Sequence, residues 1–290
     1  MYRFLLFAVA LISHIPFRML YIISDLLFYP VYYLGRYRRK IVRKNLTEAF
    51  PNKSAGEIKS IEKKFYHFFI DMTLESCKLY SISEKEMAKR VKYPNIDSVN
   101  AVLAQGRSIS LFLGHYCNWE WIASLGMCLY HGCTHAQVYH KLRNKAMDRL
   151  VDRIRGRFGS VNVDMYHTVR FIATETKKDK PLIIGFIADQ SPKKREAKDF
   201  LRFLNHDVPV LTGTEKLTKH FGFEAMFASV KRVKRGYYEC EITPLCPNPK
   251  ALPDYALTQL YFNRLEQEIN ERPEFYLWSH NRFKHALPQK

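Results

Sequence analysis

The N-terminal part of the chain is apolar and is followed by a basic cluster. Residues 4–34 contain only Arg18 and Asp25 as charged residues, and Pro16 divides them into two apolar pieces. Neither piece reaches the roughly 20 residues of a clear membrane span. Several arginines and lysines follow from Arg36 onward, which favours the cytoplasmic, anionic face of a membrane. We predict a membrane anchor at 1–35, either a tilted span or a partly buried helical hairpin. A cleaved secretory signal is disfavoured because no small-residue cleavage site follows.

Apolar residues recur at helical spacing from Ser54 to Arg90, and beyond Ile96 short apolar runs alternate with helical patterns. This alternation predicts an α/β fold with a mixed, largely parallel central sheet flanked by helices. The predicted strands cover 108–113, 134–139, 161–163 and 181–188, with helices through 97–104, from 119, through 144–158 and from 168. A hairpin is predicted for 224–233 and 237–242. No linker divides residues 36–290, so we expect one catalytic domain there.

The composition of the chain restricts the possible partners to anionic ones but does not distinguish among them. The chain has 46 Lys and Arg against 28 Asp and Glu, a formal net charge of +18. The partner should therefore be anionic: a phospholipid surface, a phosphorylated glycolipid, an acidic protein or a nucleic acid. Aromatic residues make up 14% of the chain, which suits a surface that faces lipid. The six cysteines lack Cys-x2-Cys spacing, which favours a reduced, cytosolic setting and no metal site.

One stretch of the chain combines a predicted strand, a tight turn at its end and a titratable side chain. The apolar segment 108–113 ends at Gly114, and His115 and Glu120 follow. If His115 lies in the strand-to-helix turn and Asn118 caps the helix, Glu120 falls in its first turn. The Glu120 carboxylate could then reach one nitrogen of the His115 ring and leave the other free to act as a base.

The run Gly114-His115-Tyr116-Cys117-Asn118-Trp119-Glu120 resembles the His-x4-Asp/Glu signature of glycerolipid-type acyltransferases. It has the Gly-His-x-x-Asn-Trp-Glu form found in the late acyltransferases of lipid A biosynthesis. Members often carry a small residue such as glycine where Cys117 stands. The resemblance extends from about Asn45 to Lys284, and it implies a glycerolipid acyltransferase-like fold.

Further blocks of the chain extend this resemblance. Asp189-Gln190 follows the most apolar strand and matches another block of the family. Because ligands gather at the carboxyl ends of strands in such sheets, both residues are candidate substrate contacts, as is Asn118. Relatives carry Tyr-Arg-Pro where this chain has Tyr139-His140-Lys141, so the family's functional arginine is missing and Lys141 is the candidate replacement.

Two basic stripes are candidate contact surfaces. Arg149, Arg153 and Arg157 recur at four-residue steps on a predicted helix, which suits an acidic acyl carrier protein or a membrane surface as well as a plain solvated face. The segment 273–284 resembles the family's closing block. If it is extended, Trp278, His280, Arg282 and Lys284 point the same way and could bind phosphate or sugar.

The resemblance implies transfer of a fatty acyl chain from an acyl carrier protein to a hydroxyl of a lipid A precursor, at the cytoplasmic side of the inner membrane. No cofactor, metal or nucleic acid is implied. His115 would be the general base and Glu120 its assistant. One alternative is an acyltransferase of the same fold acting on another glycolipid or an aminolipid. A more distant one is a non-enzymatic basic protein that binds membrane or nucleic acid.

Overall fold

A computed structural model describes residues 2–246 and 248–288. The helices of the described residues are α1 (Tyr2–His14), α2 (Phe17–Tyr29), α3 (Arg39–Ala49), α4 (Ala55–Lys78), α5 (Glu84–Arg90), α6 (Ile96–Ala104), α7 (Lys145–Arg155), α8 (Thr168–Glu175), α9 (Gly213–Phe221) and α10 (Ala256–Glu271). The strands are β1 (Val91–Lys92), β2 (Ile109–Leu113), β3 (Thr134–Tyr139), β4 (Val161–Asp164), β5 (Leu182–Ile187), β6 (Asp199–Phe203), β7 (His206–Val210), β8 (Glu224–Lys234) and β9 (Tyr237–Cys246). A 3₁₀ helix, Trp119–Met127, follows β2.

The central sheet has the strand order β1-β9-β8-β2-β5-β3-β4. All neighbours are parallel except β8 and β9, which form an antiparallel hairpin. Every residue of β2 is buried, as expected for a parallel strand covered on both faces. The predicted mixed, largely parallel sheet and its helical flanks are confirmed. The carboxyl ends of β2, β5 and β3 consequently lie at one edge of the sheet, where their following loops meet.

Helix α10 packs closely over the end of β2. A Cβ placed on Gly114 would lie 2.4 Å from Leu265 Cδ1, so a larger residue here would displace the Leu265 side chain. The Tyr261 hydroxyl on the same helix donates to the Leu113 carbonyl at 2.7 Å. The turn after β2 is therefore fixed from one side by α10.

Helix α1 and the helical segment Phe17–Leu34, which is α2 continued by a π-helical turn at Pro30–Leu34, meet near Pro16 with a bend of 114°. Among the described helices none is alone long and apolar enough to cross a membrane, whereas this bent pair together has the length and composition to do so. The inner face of α2 packs on α4, where Ser24 Oγ donates to Asp71 at 2.6 Å and Tyr21 donates to Glu75 at 2.8 Å. Large apolar side chains cover the outer face of the pair: Phe4, Phe7, Leu11, Met19, Ile22 and Leu26.

The elements predicted from hydrophobic spacing are confirmed within one or two residues at most ends, although the predicted 54–90 helix is two helices and the helix from Trp119 is 3₁₀. The segment 273–284 is not extended, so the condition for a stripe of side chains pointing the same way is not met: a 3₁₀ turn at Pro273–Phe275 is followed by further turns. Trp278 and Arg282 are buried, so the predicted outward stripe does not form. The sequence did not indicate β1, the β6–β7 hairpin or α10.

Candidate active site

His115 lies in the turn between β2 and the 3₁₀ helix. The Asn118 side chain caps that helix by accepting from the Trp121 amide at 3.2 Å, which confirms the predicted cap. The segment after α10 holds the other side of the turn: Cys117 N donates to the Phe275 carbonyl at 2.9 Å, and Leu277 N donates to the His115 carbonyl at 3.1 Å. The backbone that carries His115 is thus fixed on both sides.

The His115 ring is oriented by the loop after β5. Nδ1 lies 2.7 Å from Asp189 Oδ1, and the same oxygen accepts from the His115 backbone amide at 3.2 Å. Nε2 lies 3.2 Å from the side-chain amide of Gln190. Because a carboxylate can only accept, Nδ1 carries the proton and Nε2 presents its lone pair. Nε2 is therefore the basic nitrogen of the site.

Asp189 is almost fully buried, and its surroundings keep it ionised. Burial alone raises the pKa of this carboxyl, but the His115 ring and the Arg282 guanidinium together hold it below its usual value. Arg282 is itself buried against Phe203 and Phe262. It acts on the site as a fixed charge behind Asp189 and is not exposed for binding phosphate or sugar.

Glu120 does not contact the His115 ring in the way the sequence predicted. Its carboxylate accepts two hydrogen bonds from Arg155 of α7, at 2.9 and 2.5 Å, and one from the Trp119 indole at 3.2 Å. Burial raises the pKa of Glu120, but Arg155 and more weakly His115 bring it below its usual value. The physical reason for the correction is competition, since a bidentate guanidinium is the stronger partner and Asp189 already occupies Nδ1.

An apolar cavity of about 630 Å³ adjoins this pair. Trp119, Ile122 and Leu125 of the 3₁₀ helix, Val151 of α7 and Phe186 of β5 supply apolar walls. Its polar lining includes His115, Glu120, Arg155 and Gln190 at the catalytic end. A cavity of this shape and chemistry can hold a long apolar group with a polar end beside His115.

Several other predicted contacts fall elsewhere. Asn118 is fully buried and donates to Glu75 at 2.7 Å, so it is a cap and not an exposed contact. Lys141 is exposed and does not line the cavity, whereas its neighbour His140 does. His280 accepts from the Ser191 amide at 3.1 Å, and burial lowers its pKa to about 4. It thereby supports the loop that carries Asp189.

The predicted arginine stripe is only partly present. Arg149 and Arg153 are exposed on α7, but Arg157 lies beyond its end and donates to the carbonyls of Leu79 and Ile82. The arginine that reaches the cavity is Arg155, which the sequence reasoning missed. The sequence contained a signal for this position: Arg155 follows Val151 by four residues, and residues four apart lie on the same face of a helix.

A partly buried imidazole that is paired with a buried carboxylate, beside an apolar cavity, defines the class of site: one for acid–base chemistry on a lipid-like ligand. Comparison with known proteins specifies it. Residues 2–285 match the family described as bacterial lipid A biosynthesis acyltransferase, so the chain belongs to this family and is an acyltransferase. This excludes the non-enzymatic alternative.

Individual relatives agree with the family match over most of the chain. The chain is 24% identical over 250 residues to the lipid A biosynthesis palmitoleoyltransferase of Escherichia coli K12, covering 85% of this chain and 79% of the relative. It is 21% identical over 276 residues to the lipid A biosynthesis acyltransferase of Haemophilus influenzae, covering 94% of this chain and 84% of the relative. The active-site turn and the closing block at 273–284 both lie within the family match.

Proposed function

We propose that this acyltransferase transfers a fatty acyl chain from an acyl carrier protein thioester to a hydroxyl of a lipid A precursor, at the cytoplasmic face of the inner membrane. The observation that carries the proposal is the His115–Asp189 pair at one end of an apolar cavity. The names of the relatives support the lipid A acceptor. The acyl carrier protein is inferred from the resemblance and from the basic surface of the chain.

His115 is the general base in this mechanism. An alcohol is a weak nucleophile at neutral pH unless its proton is removed as it attacks. The acceptor hydroxyl takes the place of the Gln190 amide at Nε2, gives its proton to that nitrogen and attacks the thioester carbonyl. Asp189 holds the ring in the required tautomer and stabilises the imidazolium that forms. That imidazolium then protonates the departing thiolate, so the base is regenerated without an acyl-enzyme.

Glu120 assists by a second route. The Glu120 carboxylate is close enough to His115 for the imidazole charge to affect its pKa, so it also stabilises the imidazolium electrostatically. It fixes the Arg155 guanidinium inside the cavity through two hydrogen bonds. We propose that Arg155 is the cation that faces the developing negative charge of the thioester carbonyl, in a chain where His140 replaces the family's arginine.

The predicted anchor fits an enzyme that meets its acceptor in a membrane. The outer faces of α1 and α2 are apolar, and basic residues begin directly after them at Arg36. Apolar side chains would enter the lipid while the cations meet anionic headgroups. We therefore propose residues 1–35 as the membrane-contacting part and the following residues as the acyltransferase domain.

Acyl transfer by the purified full-length protein tests the proposal. The protein in mixed micelles is given an acyl-carrier-protein thioester and a lipid A precursor, and the product mass is measured. We expect an acceptor heavier by one acyl chain and a loss of at least about a thousandfold in kcat with His115→Ala. Unchanged transfer in this variant would contradict the mechanism.

Mass spectrometry of total lipids with and without the gene tests the acceptor. A lipid A species that lacks one acyl chain supports the proposal. A changed aminolipid or a different glycolipid, with lipid A intact, would support the same-fold alternative instead. Replacing the carrier-protein thioester by the coenzyme A thioester in the purified assay tests the donor.

A further inference from the structure

One face of the central sheet forms a wall of the cavity, and Ala136, Val138 and Phe186 of the opposite face also line it. Registered pairing places Leu111 of β2 beside Gly185 of β5, and Gly185 beside Gln137 of β3. Because side chains alternate between faces along a strand, residues two apart share this face. Its members that line the cavity are Leu111 and Leu113 on β2, Gly185 and Ile187 on β5, and His135 and Gln137 on β3. The catalytic end is at the carboxyl ends of these strands, so a linear ligand runs from His115 back along them.

The register gives the depth of this channel. His135 pairs with Ile183, and Ile183 pairs with Ile109, so His135 is level with a residue six positions before His115. At about 3.3 Å per residue this separation is at most roughly 20 Å along the strand direction, because Gly114 and His115 lie in the turn after β2. A carbon–carbon bond of about 1.5 Å at a near-tetrahedral angle advances an extended chain by about 1.25 Å per carbon. A chain of about 14 to 16 carbons therefore spans the distance.

Among the sheet residues that line the cavity, His135 lies at the strand level farthest from His115. A Cβ on Gly126 of the 3₁₀ helix would lie 3.0 Å from His135 Nδ1, so the ring lies directly against that helix. Nδ1 is buried and has no hydrogen-bond partner within residues 2–246 and 248–288. Burial lowers the pKa of His135 to about 4, so the ring is neutral and carries one N–H. A methyl group pressed against this polar ring could not hydrogen-bond with its nitrogens, which is unfavourable.

Gly185 opens the channel between its two ends. It is level with Leu111, four positions before His115, and has no side chain where its neighbours on β2 and β3 present Leu111 and Gln137. A Cβ at Gly185 would lie 3.6 Å from Leu113 Cδ1 and 3.9 Å from Gln137 Cβ. These are ordinary van der Waals distances, so a small side chain fits the strand but occupies the channel.

From this geometry we infer that Gly185 and His135 set the length of the acyl chain that the enzyme transfers, at about 14 to 16 carbons. Gly185 lets the chain pass along the sheet, and His135 forms a polar end wall at which the terminal methyl stops. The inference rests on the proposed function, because it assigns the cavity to the acyl group of the donor.

The test compares donors of different length. Wild type and variants are assayed with carrier-protein thioesters of saturated straight chains from about 8 to 18 carbons, which extend below and above the length inferred from the register. For wild type we expect the highest kcat/KM at about 14 to 16 carbons. In Gly185→Val the optimum should fall to about 10 carbons, since the side chain blocks the channel roughly 13 Å from His115. Each methylene that no longer fits costs about fourfold.

His135→Leu should change the profile in the opposite direction. This substitution replaces the polar ring by an apolar side chain of similar size and removes the N–H, so an 18-carbon donor should gain about tenfold relative to the wild-type optimum. Ile184→Val is the matched control: Ile184 is buried on the opposite face of β5 and should leave the length profile unchanged. Gly185→Ala provides a milder blocking variant if the valine destabilises the strand.

The outcomes separate this inference from the proposed function. No transfer by wild type with any donor would contradict the proposed function. Transfer with the same length profile in wild type, both Gly185 variants and His135→Leu would overturn the inference while leaving the reaction intact. An equal loss for all donors in Gly185→Ala would also overturn it, because it would indicate general damage and not a blocked channel.

Discussion

At the scale of single residues, the two carboxylates near His115, Asp189 and Glu120, have different roles. Asp189 accepts from Nδ1, and Glu120 is held by Arg155. An amide in place of Asp189 could donate to Nδ1 and favour the wrong tautomer, whereas an amide in place of Glu120 chiefly releases Arg155. The loop after β5 therefore determines the basicity of Nε2 through Asp189, and α7 supplies the cation, Arg155.

We expect Asp189→Asn to lower kcat by about a thousandfold or more, because the ring loses its orienting carboxylate. Glu120→Gln should lower kcat less, because Asp189 still orients the ring while the Arg155 guanidinium loses its carboxylate partner. Steady-state kinetics over a pH series measures both. A larger loss in Glu120→Gln than in Asp189→Asn would return Glu120 to the role that the sequence first indicated.

Cys117 stands two residues from His115 and could be mistaken for a nucleophile. It is fully buried, has a left-handed φ of 53° and is placed in a region where burial raises the pKa of its thiol. A protonated, buried thiol is a poor nucleophile. We expect Cys117→Ala to keep kcat within about threefold of wild type. Loss of activity, together with an acyl adduct on wild-type Cys117 in intact-protein mass spectrometry, would contradict direct attack by the acceptor.

At the scale of elements, Glu75 connects the active-site turn to the rest of the fold. This carboxylate lies on α4 and accepts from Asn118 at 2.7 Å, from Tyr21 of α2 at 2.8 Å and from Tyr238 of β9 at 2.6 Å. The Trp121 indole donates to its backbone carbonyl at 2.9 Å. One buried side chain thus joins α2, the sheet and the cap of the 3₁₀ helix.

Burial raises the pKa of Glu75 to about 7, although hydrogen bonds from Tyr238 and Tyr21 oppose the shift. A carboxyl with a raised native pKa stabilises the fold below its unfolded pKa, and this contribution is lost as pH rises through the native value. Glutamine cannot ionise. We therefore expect the Tm of Glu75→Gln minus the Tm of wild type to increase as the pH rises from about 5 to 7.5. Melting curves across that range measure the difference.

The control for Glu75 is Glu57→Gln. Glu57 is exposed in the capping box of α4 with Ser54, and these hydrogen bonds lower its pKa. It stays ionised in the native and unfolded states across the same pH range, so the Tm difference of this variant from wild type should be flat. A Glu75→Gln difference that is equally flat would contradict the raised pKa.

The elements were largely predictable because their signals are local. Pro16 breaks a helix, Gly114 ends a strand, and Asn118 supplies a cap within three residues of its target. The pairing of side chains was not predictable in the same way. Asp189 reaches His115 across 74 positions of sequence, and Arg155 comes from a separate helix. Which carboxylate hydrogen-bonds to the His115 ring depends on how the loops pack together. The spacing of hydrophobic residues carries no information about loop packing.

At the scale of the whole molecule, α1 and α2 present an apolar surface on the folded domain. The inner face of α2 is fixed to α4 by buried hydrogen bonds, including Ser24 to Asp71, and Arg235 of the β8–β9 turn binds both Asp25 and Asp71. Those contacts hold α2 on the folded domain, so its outer apolar face is presented at a defined place. With a net charge of +18, the chain has the charge to approach an anionic bilayer with this face.

We expect Phe7→Asp and Leu26→Asp each to weaken binding to vesicles, because both side chains are more than three-fifths exposed, at 66% and 64%, and would enter the lipid. Losing the burial of one such side chain should lower the partition coefficient about tenfold or more. Val169→Asp on α8 is the matched control, since Val169 is similarly exposed at 60% but lies outside α1 and α2. Sedimentation with phosphatidylethanolamine vesicles, with and without phosphatidylglycerol, measures binding. Added salt should weaken only the part of the binding that depends on phosphatidylglycerol. Equal losses of vesicle binding in all three variants would contradict a specific role for the outer face of α1 and α2.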